Sequence, residues 1–150
     1  MRKSKKGITL LELTLALGIL AIVSVGITLG ITSINRRALA NASLQLQADI
    51  YYAQRRAIME GVRYRVIFEA VDGRYRIRNV ATGEDVRTVY LPQRVIVHTN
   101  LPHNQVDFLP RGTASDAGRI TLLDRRYQQN LTINVSGGRV AIQDMTRSSR

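Results

Sequence analysis

Apolar and polar positions follow three different rhythms along the chain. From Ile8 to Ile34 there is almost no polar position: 27 residues, ITLLELTLALGILAIVSVGITLGITSI, carry a single charge, Glu12, behind the basic start MRKSKKG. At the helical rise such a run extends roughly 40 Å, enough to cross a bilayer. A secretory signal core holds only about 7 to 15 apolar residues before small residues at its cleavage site, which is too short to describe this run. Beyond Asn35-Arg36-Arg37 the rhythm becomes helical. Leu39, Ala42, Leu46, Ile50, Ala53 and Ala57 recur at spacings of three and four and mark one face, while Asn41, Gln45, Gln47, Arg55 and Arg56 mark the other. Gly61 supplies a stop. The pattern predicts one helix from Ile8 to Glu60, about 80 Å long if straight, first membrane-spanning and then amphipathic.

After Gly61 the period changes to two. Val62 to Ala70 alternates Tyr64, Val66 and Phe68 against Arg63, Arg65 and Glu69. Asp72-Gly73 provides a turn, and Arg74 to Val80 alternates Tyr75 and Ile77 against Arg74, Arg76 and Arg78, which together predict a hairpin. Further short strands are expected at Val86–Leu91, Arg94–His98, Val106–Leu109, Arg119–Leu123, Leu131–Val135 and Arg139–Ile142. Between them stand Pro92, Pro102, Pro110-Arg-Gly, Asp124 to Asn130 and Gly137-Gly138. Thr146 to Arg150 reads as a frayed tail. One long helix thus precedes seven or eight antiparallel strands, without internal repeats.

A chain of 150 residues with this span leaves room for one further small domain. It contains no cysteine, which excludes both a disulfide framework and a thiolate metal site, so stability must come from packing. The net charge is +11, and four of the 22 basic residues, Arg2, Lys3, Lys5 and Lys6, precede the span. By the positive-inside rule they place the leader in the cytoplasm and the C-terminal domain outside. The chain beyond the leader keeps 18 basic against 11 acidic residues, +7, and all of its cations are arginines.

Glu12 changes the reading of the span, because a carboxylate in an apolar helix costs about 2.5 to 3.5 kcal/mol on insertion scales and usually has a dedicated partner. Cleavage after Gly7 would create an α-amine on Ile8 one helical turn away, and the natural partner is then the N-terminus of a neighbouring copy. Lys5-Lys6-Gly7 followed by Ile8-Thr9-Leu10-Leu11-Glu12-Leu13 resembles the type III signal of type IV pilins and pseudopilins. The resemblance implies cutting after Gly7 by a prepilin peptidase, methylation of the new N-terminus at Ile8, and an assembly role for Glu12. Two positions depart from the family pattern: Ile8 stands where phenylalanine is usual, and Leu29 where a proline is common, which suggests a straighter upper helix.

The layout as a whole resembles the GspH/FimT branch of minor pseudopilins. The segments that carry the likeness are Ala53-Gln-Arg-Arg-Ala-Ile-Met-Glu-Gly61, Phe108-Leu-Pro-Arg-Gly112 leading to Gly118-Arg-Ile-Thr-Leu122, and Val135-Ser-Gly-Gly-Arg-Val140. It implies an α+β, type IV pilin-like fold: a leader at 1–7, a transmembrane and assembly half-helix at 8–34, and a globular head at 35–150 in which the amphipathic half-helix packs on an antiparallel sheet or sandwich. The expected role is a structural subunit of a type IV pilus or type II secretion pseudopilus. Its partners would be prepilin peptidase, other pilins and the inner membrane, with the head on the periplasmic side before the chain enters a filament. No cofactor is expected.

An enzyme reading has little to stand on. His98, His103 and Asp107 could ligate a metal, but they sit in loop-flanking sequence and read as surface or turn residues. Asp116 and Asp124 read as turn residues and not as an acid/base pair. Asn130-Leu-Thr132 matches a glycosylation sequon and is treated as chance. The alternative function lies in the arginines. Arg63, Arg65, Arg74, Arg76 and Arg78 would share one face of the hairpin, and Arg139, Arg147 and Arg150 form a second basic locus. Some FimT-like proteins bind DNA for uptake through a basic C-terminal region, so the resemblance implies DNA as a further partner, although Val140 and Ala141 follow Gly138-Arg139 where a fuller arginine motif is expected.

Overall fold

A computed structural model describes residues 10–148, and for residues 25–35 the backbone alone. Gly7, Ile8 and Arg150 lie outside the described residues. The described chain falls into two compact units that divide between Asn35 and Arg36, and each is described by itself. One helix, α1 (Leu10–Glu60), contributes to both.

In the first unit the described side chains of α1 form an exposed apolar surface from Leu10 through Val23. The hydroxyls of Thr14 and Ser24 donate to the carbonyls of Leu11 (2.9 Å) and Leu20 (2.7 Å). Back-bonding of this kind leaves less polar surface to hydrate. The described side chains of this stretch end at Ser24, and within that limit no helix is long and apolar enough to cross a membrane.

In the second unit the helical stripe is buried at every expected position: Leu39, Ala42, Leu46, Ile50, Ala53 and Ala57. The three alanines let strands come close to the helix axis. α1 stops at Glu60 because Gly61 takes φ +66°, a left-handed value that costs glycine nothing. The helix end is tied to the following strand. Arg56 pairs with Glu60 at 2.7 Å, and the Tyr64 hydroxyl donates to the same carboxylate. Burial raises the Tyr64 phenol above its ordinary range, and the Glu60 bond adds to the rise, so it remains a donor.

Nine strands follow among the described residues: β1 (Tyr64–Glu69), β2 (Arg74–Asn79), β3 (Asp85–Tyr90), β4 (Ile96–Thr99), β5 (Gln105–Phe108), β6 (Gly118–Leu123), β7 (Tyr127–Ile133), β8 (Val140–Ile142) and β9 (Thr146–Arg147). They form two antiparallel sheets, ordered β3-β2-β1-β5 and β4-β6-β7-β8, with β9 also on β7. The inward residues Tyr64, Val66, Phe68, Tyr75, Ile77, Val106 and Phe108 of the first sheet join Val97, Ile120, Leu122, Leu131, Ile133 and Val140 of the second. With the helix stripe they make one apolar cluster. The hairpin pairs Tyr64 with Asn79 and Glu69 with Arg74 across the Ala70–Gly73 turn, as the period of two predicts.

Two expectations are corrected at the C-terminus. Thr146–Arg147 is not a frayed tail but pairs with Tyr127 and Gln128. The turn before β7 is correspondingly short, because Tyr127 to Asn130 are strand residues paired to β6 or β9.

Candidate functional site

Glu12 lies in the first turn of α1 and is exposed beside Leu10, Leu11 and Leu13. The arginines named from the sequence are distributed differently. Register pairs Arg65 with Arg78, Ile67 with Arg76 and Glu69 with Arg74, so Arg65, Arg74, Arg76 and Arg78 project from the outward face of β1 and β2. Arg63 precedes β1, Arg139 precedes β8, and Arg147 is in β9.

The hairpin arginines are compensated by Glu69 and Asp72 of the hairpin itself, by Asp85 at the start of β3 and by Asp107 from β5. Asp107, opposite Arg65 on β5, receives two bonds from its guanidinium at 2.6 and 2.9 Å and a weaker one from Arg63 at 3.4 Å. Arg74 contacts Glu69 and Asp72, and Arg76 bridges Glu69 and Asp85. Arg78 binds Asp85 at 2.7 and 3.1 Å in a two-pronged pair. Five arginines thus meet four carboxylates, and the face carries about one net positive charge. The Asp107 carboxylate is engaged by arginines rather than by His98 or His103, and among the described residues no cluster of three or more metal-ligating side chains forms.

This network sets a pH dependence. Hydrogen bonding from Arg78, helped by Arg76, holds the Asp85 carboxyl down at about 2 against partial burial that works the other way. Burial pushes Glu69 upward, but bonds from Arg74 and Arg76 outweigh it and leave it below the ordinary range. A carboxyl lowered by folding adds stability above its unfolded pKa of about 4, and that stability fades as pH falls toward the folded value. Urea unfolding at a series of pH values from neutral to strongly acid is therefore expected to show stability falling below about pH 4, with Arg78→Gln flattening that fall.

Two further clusters join α1 to the sheets, and sequence reading missed both. Asp49 is buried. It accepts the Tyr75 hydroxyl at 2.6 Å and the Gln45 amide at 3.1 Å on one oxygen, and Arg87 at 2.8 Å on the other. Burial, then the Asp49 bond, drives the Tyr75 phenol far above its ordinary range and keeps it a donor. A signal was present: Asp49 lies three residues after Leu46 and four before Ala53, a charged residue on an otherwise apolar stripe.

The second cluster explains the three glycine-bearing segments that carry the family likeness. The Gln54 amide donates to the carbonyls of Gly112 (2.6 Å) and Gly137 (2.9 Å), while Gln47 and Tyr51 both donate to the Val140 carbonyl. A Cβ at Gly138, where φ is +57°, would come within 2.4 Å of the Gln54 nitrogen and 2.8 Å of the Gly112 carbonyl. Gly138→Ala is expected to lose about 1–3 kcal/mol of stability by urea unfolding. Gly83→Ala, at φ +74° in open space, should lose less because only the backbone conformation is strained.

The geometry is that of a pilin-like subunit, one long helix laid by an alanine-rich stripe against antiparallel sheets. Comparison places it more closely. Residues 42–138 match the family described as type II transport protein GspH, and residues 2–28 match the prokaryotic N-terminal methylation motif. The chain belongs to the GspH family of minor pseudopilins and pilins. Its fold resembles the minor pseudopilin EpsH of the Vibrio cholerae type 2 secretion system, with TM-score 0.59 and 14% identity over 71% of this chain and 95% of that one. It also resembles the Pseudomonas aeruginosa type IV minor pilin FimU, with TM-score 0.62 and 15% identity over 73% of this chain and 91% of that one. No curated protein matches the chain.

Proposed function

We propose that the chain is a structural subunit of a type IV pilus or type II secretion pseudopilus, processed by prepilin peptidase after Gly7 and methylated on Ile8. The observation that carries this reading is the pairing of a methylation motif at residues 2–28 with a GspH head at residues 42–138 on one chain. The apolar stretch to Ile34 holds the precursor in the inner membrane with the head on the far side. On assembly the same stretch packs among the helices of neighbouring subunits. Glu12 then neutralises a neighbour's Ile8 amine, because an ammonium group in an apolar core is costly and a carboxylate at the same depth offsets that cost. The family is one of structural subunits, and the head's ion pairs and clamps serve packing rather than turnover. Co-expression with a prepilin peptidase tests processing. The wild-type chain is expected to shorten, and Gly7→Ala to stay full length; a Gly7→Ala chain still cut before Ile8 contradicts the assignment.

A second reading, DNA capture, is favoured by one observation. Arg139 and Arg147 are exposed and make no ion pair among the described residues, unlike the hairpin arginines. Titrating the full chain with duplex DNA at several salt concentrations tests it, since phosphate contacts give a steep negative salt slope. That slope should flatten in the Arg139→Gln, Arg147→Gln double variant. Weak binding without salt dependence removes the reading.

A further inference from the structure

The outward face of the second sheet differs from the arginine face of the first in having no acid. Register sets His98 opposite Thr121, and Arg119, Thr121 and Leu123 opposite Thr132, Asn130 and Gln128, so these residues share one face. At its β4–β6 end lies an open recess of about 300 Å³ lined by His98, Thr99, Asn100, Arg119 and Thr121. Arg119 is exposed and, among the described residues, pairs with no carboxylate. The five arginines on the hairpin side of the first sheet all do.

The hydrogen bonding within the recess orients its polar groups. The Asn100 Oδ1 accepts the Arg119 backbone N–H at 2.6 Å, which fixes the amide so that its NH₂ is the group left to offer. The Thr99 Oγ1 accepts the Leu101 N–H at 3.0 Å, leaving its own O–H as a donor. Gly118 makes this packing possible, since a Cβ there would come within 2.5 Å of Leu101 and 3.0 Å of the Asn100 oxygen. Thr121 gives its proton to Asn130 at 2.8 Å, so its own hydroxyl is left with acceptor capacity only. The recess therefore presents a guanidinium fork, an amide NH₂ and a hydroxyl proton, with imidazole at its side. One fixed cation among neutral donors matches a singly charged, planar oxyanion, which the fork can bind through two parallel bonds.

We propose that this recess is a carboxylate-binding site that takes an Asp, Glu or C-terminal carboxylate of another polypeptide, with Arg119 as the charged donor and Asn100 as its neutral partner. That the polypeptide is a neighbouring filament subunit rests on the function proposed above; the recess itself does not.

The test is a titration of the isotope-labelled full chain in detergent micelles with sodium acetate, against sodium chloride at equal ionic strength, followed by amide NMR shifts. Saturable shifts are expected at Thr99, Asn100, Arg119 and Thr121. Arg119→Gln should weaken acetate binding about tenfold, the loss of a charge-assisted pair, and Asn100→Ala should weaken it less. Arg55→Gln, an exposed helix arginine remote in sequence, should leave it unchanged. Shifts that do not saturate, or equal binding by Arg119→Gln, overturn the site. Tighter binding of dimethyl phosphate than of acetate overturns the carboxylate assignment in favour of a phosphodiester. Loss of the acetate signal with the chain still recovered from filaments would sink the site alone, leaving the filament reading standing.

Discussion

Glu12→Ala is expected to leave the chain inserted in the membrane and to reduce its recovery in sheared filaments about tenfold or more. Removing the carboxylate makes the helix more apolar by about 2.5 to 3.5 kcal/mol on insertion scales, so anchoring can only be favoured. Assembly moves the other way. Each incoming Ile8 amine would lose its counter-ion inside an apolar bundle, and an uncompensated charge in such surroundings costs several kcal/mol. Glu12→Gln separates charge from shape, since it keeps a hydrogen-bond acceptor but not the neutralising charge, and should fall close to alanine. Recovery of Glu12→Ala at the wild-type level would show that the carboxylate does not set the register of added subunits.

Asp49→Ala is expected to cost the head about 2–4 kcal/mol in urea unfolding, the largest loss from any polar substitution there. Three groups converge on that carboxylate, and they respond unequally. Tyr75 is buried, so its hydroxyl would be left without an acceptor, which accounts for most of the loss. Arg87 is 43% exposed and can hydrate when its partner goes, so the full penalty of a broken buried pair does not apply. Tyr75→Phe removes the stranded hydroxyl together with its bond and should cost only about 1 kcal/mol. A neutral Asp49→Ala would mean that this carboxylate and the groups around it do not help to hold the helix on the sheets.

The sequence made some of these features legible because the physics that sets them is local. The stripe from Leu39 to Ala57 and the stop at Gly61 follow from helical period and one left-handed residue. The β1–β2 hairpin follows from strict alternation on both sides of Asp72-Gly73. The strand start at Tyr127 was hidden, since Tyr-Gln-Gln-Asn reads as polar turn sequence until β9 pairs beside it. The candidate sites divide in the same way. Gly7, Ile8 and Glu12 come from a short contiguous motif. That Arg65, Arg74, Arg76 and Arg78 share one face of the hairpin was visible in its alternation, whereas Arg63 falls just before β1 and the neutralisation of all five was not visible. Asp107 arrives from β5 through register, more than forty residues from Arg65, and Asp85 faces Arg78 only once β3 folds back on β2. Gln54 was hidden for a related reason, as the carbonyls that it binds belong to glycine loops more than fifty residues away.

One molecule must do two things in order, lose its leader and enter a filament. The intact mass of the chain recovered from sheared filaments measures both together. The predicted result is a chain that begins at Ile8 and carries one added methyl group. A chain absent from the filaments, or present there with Met1 to Gly7 still attached, would contradict it.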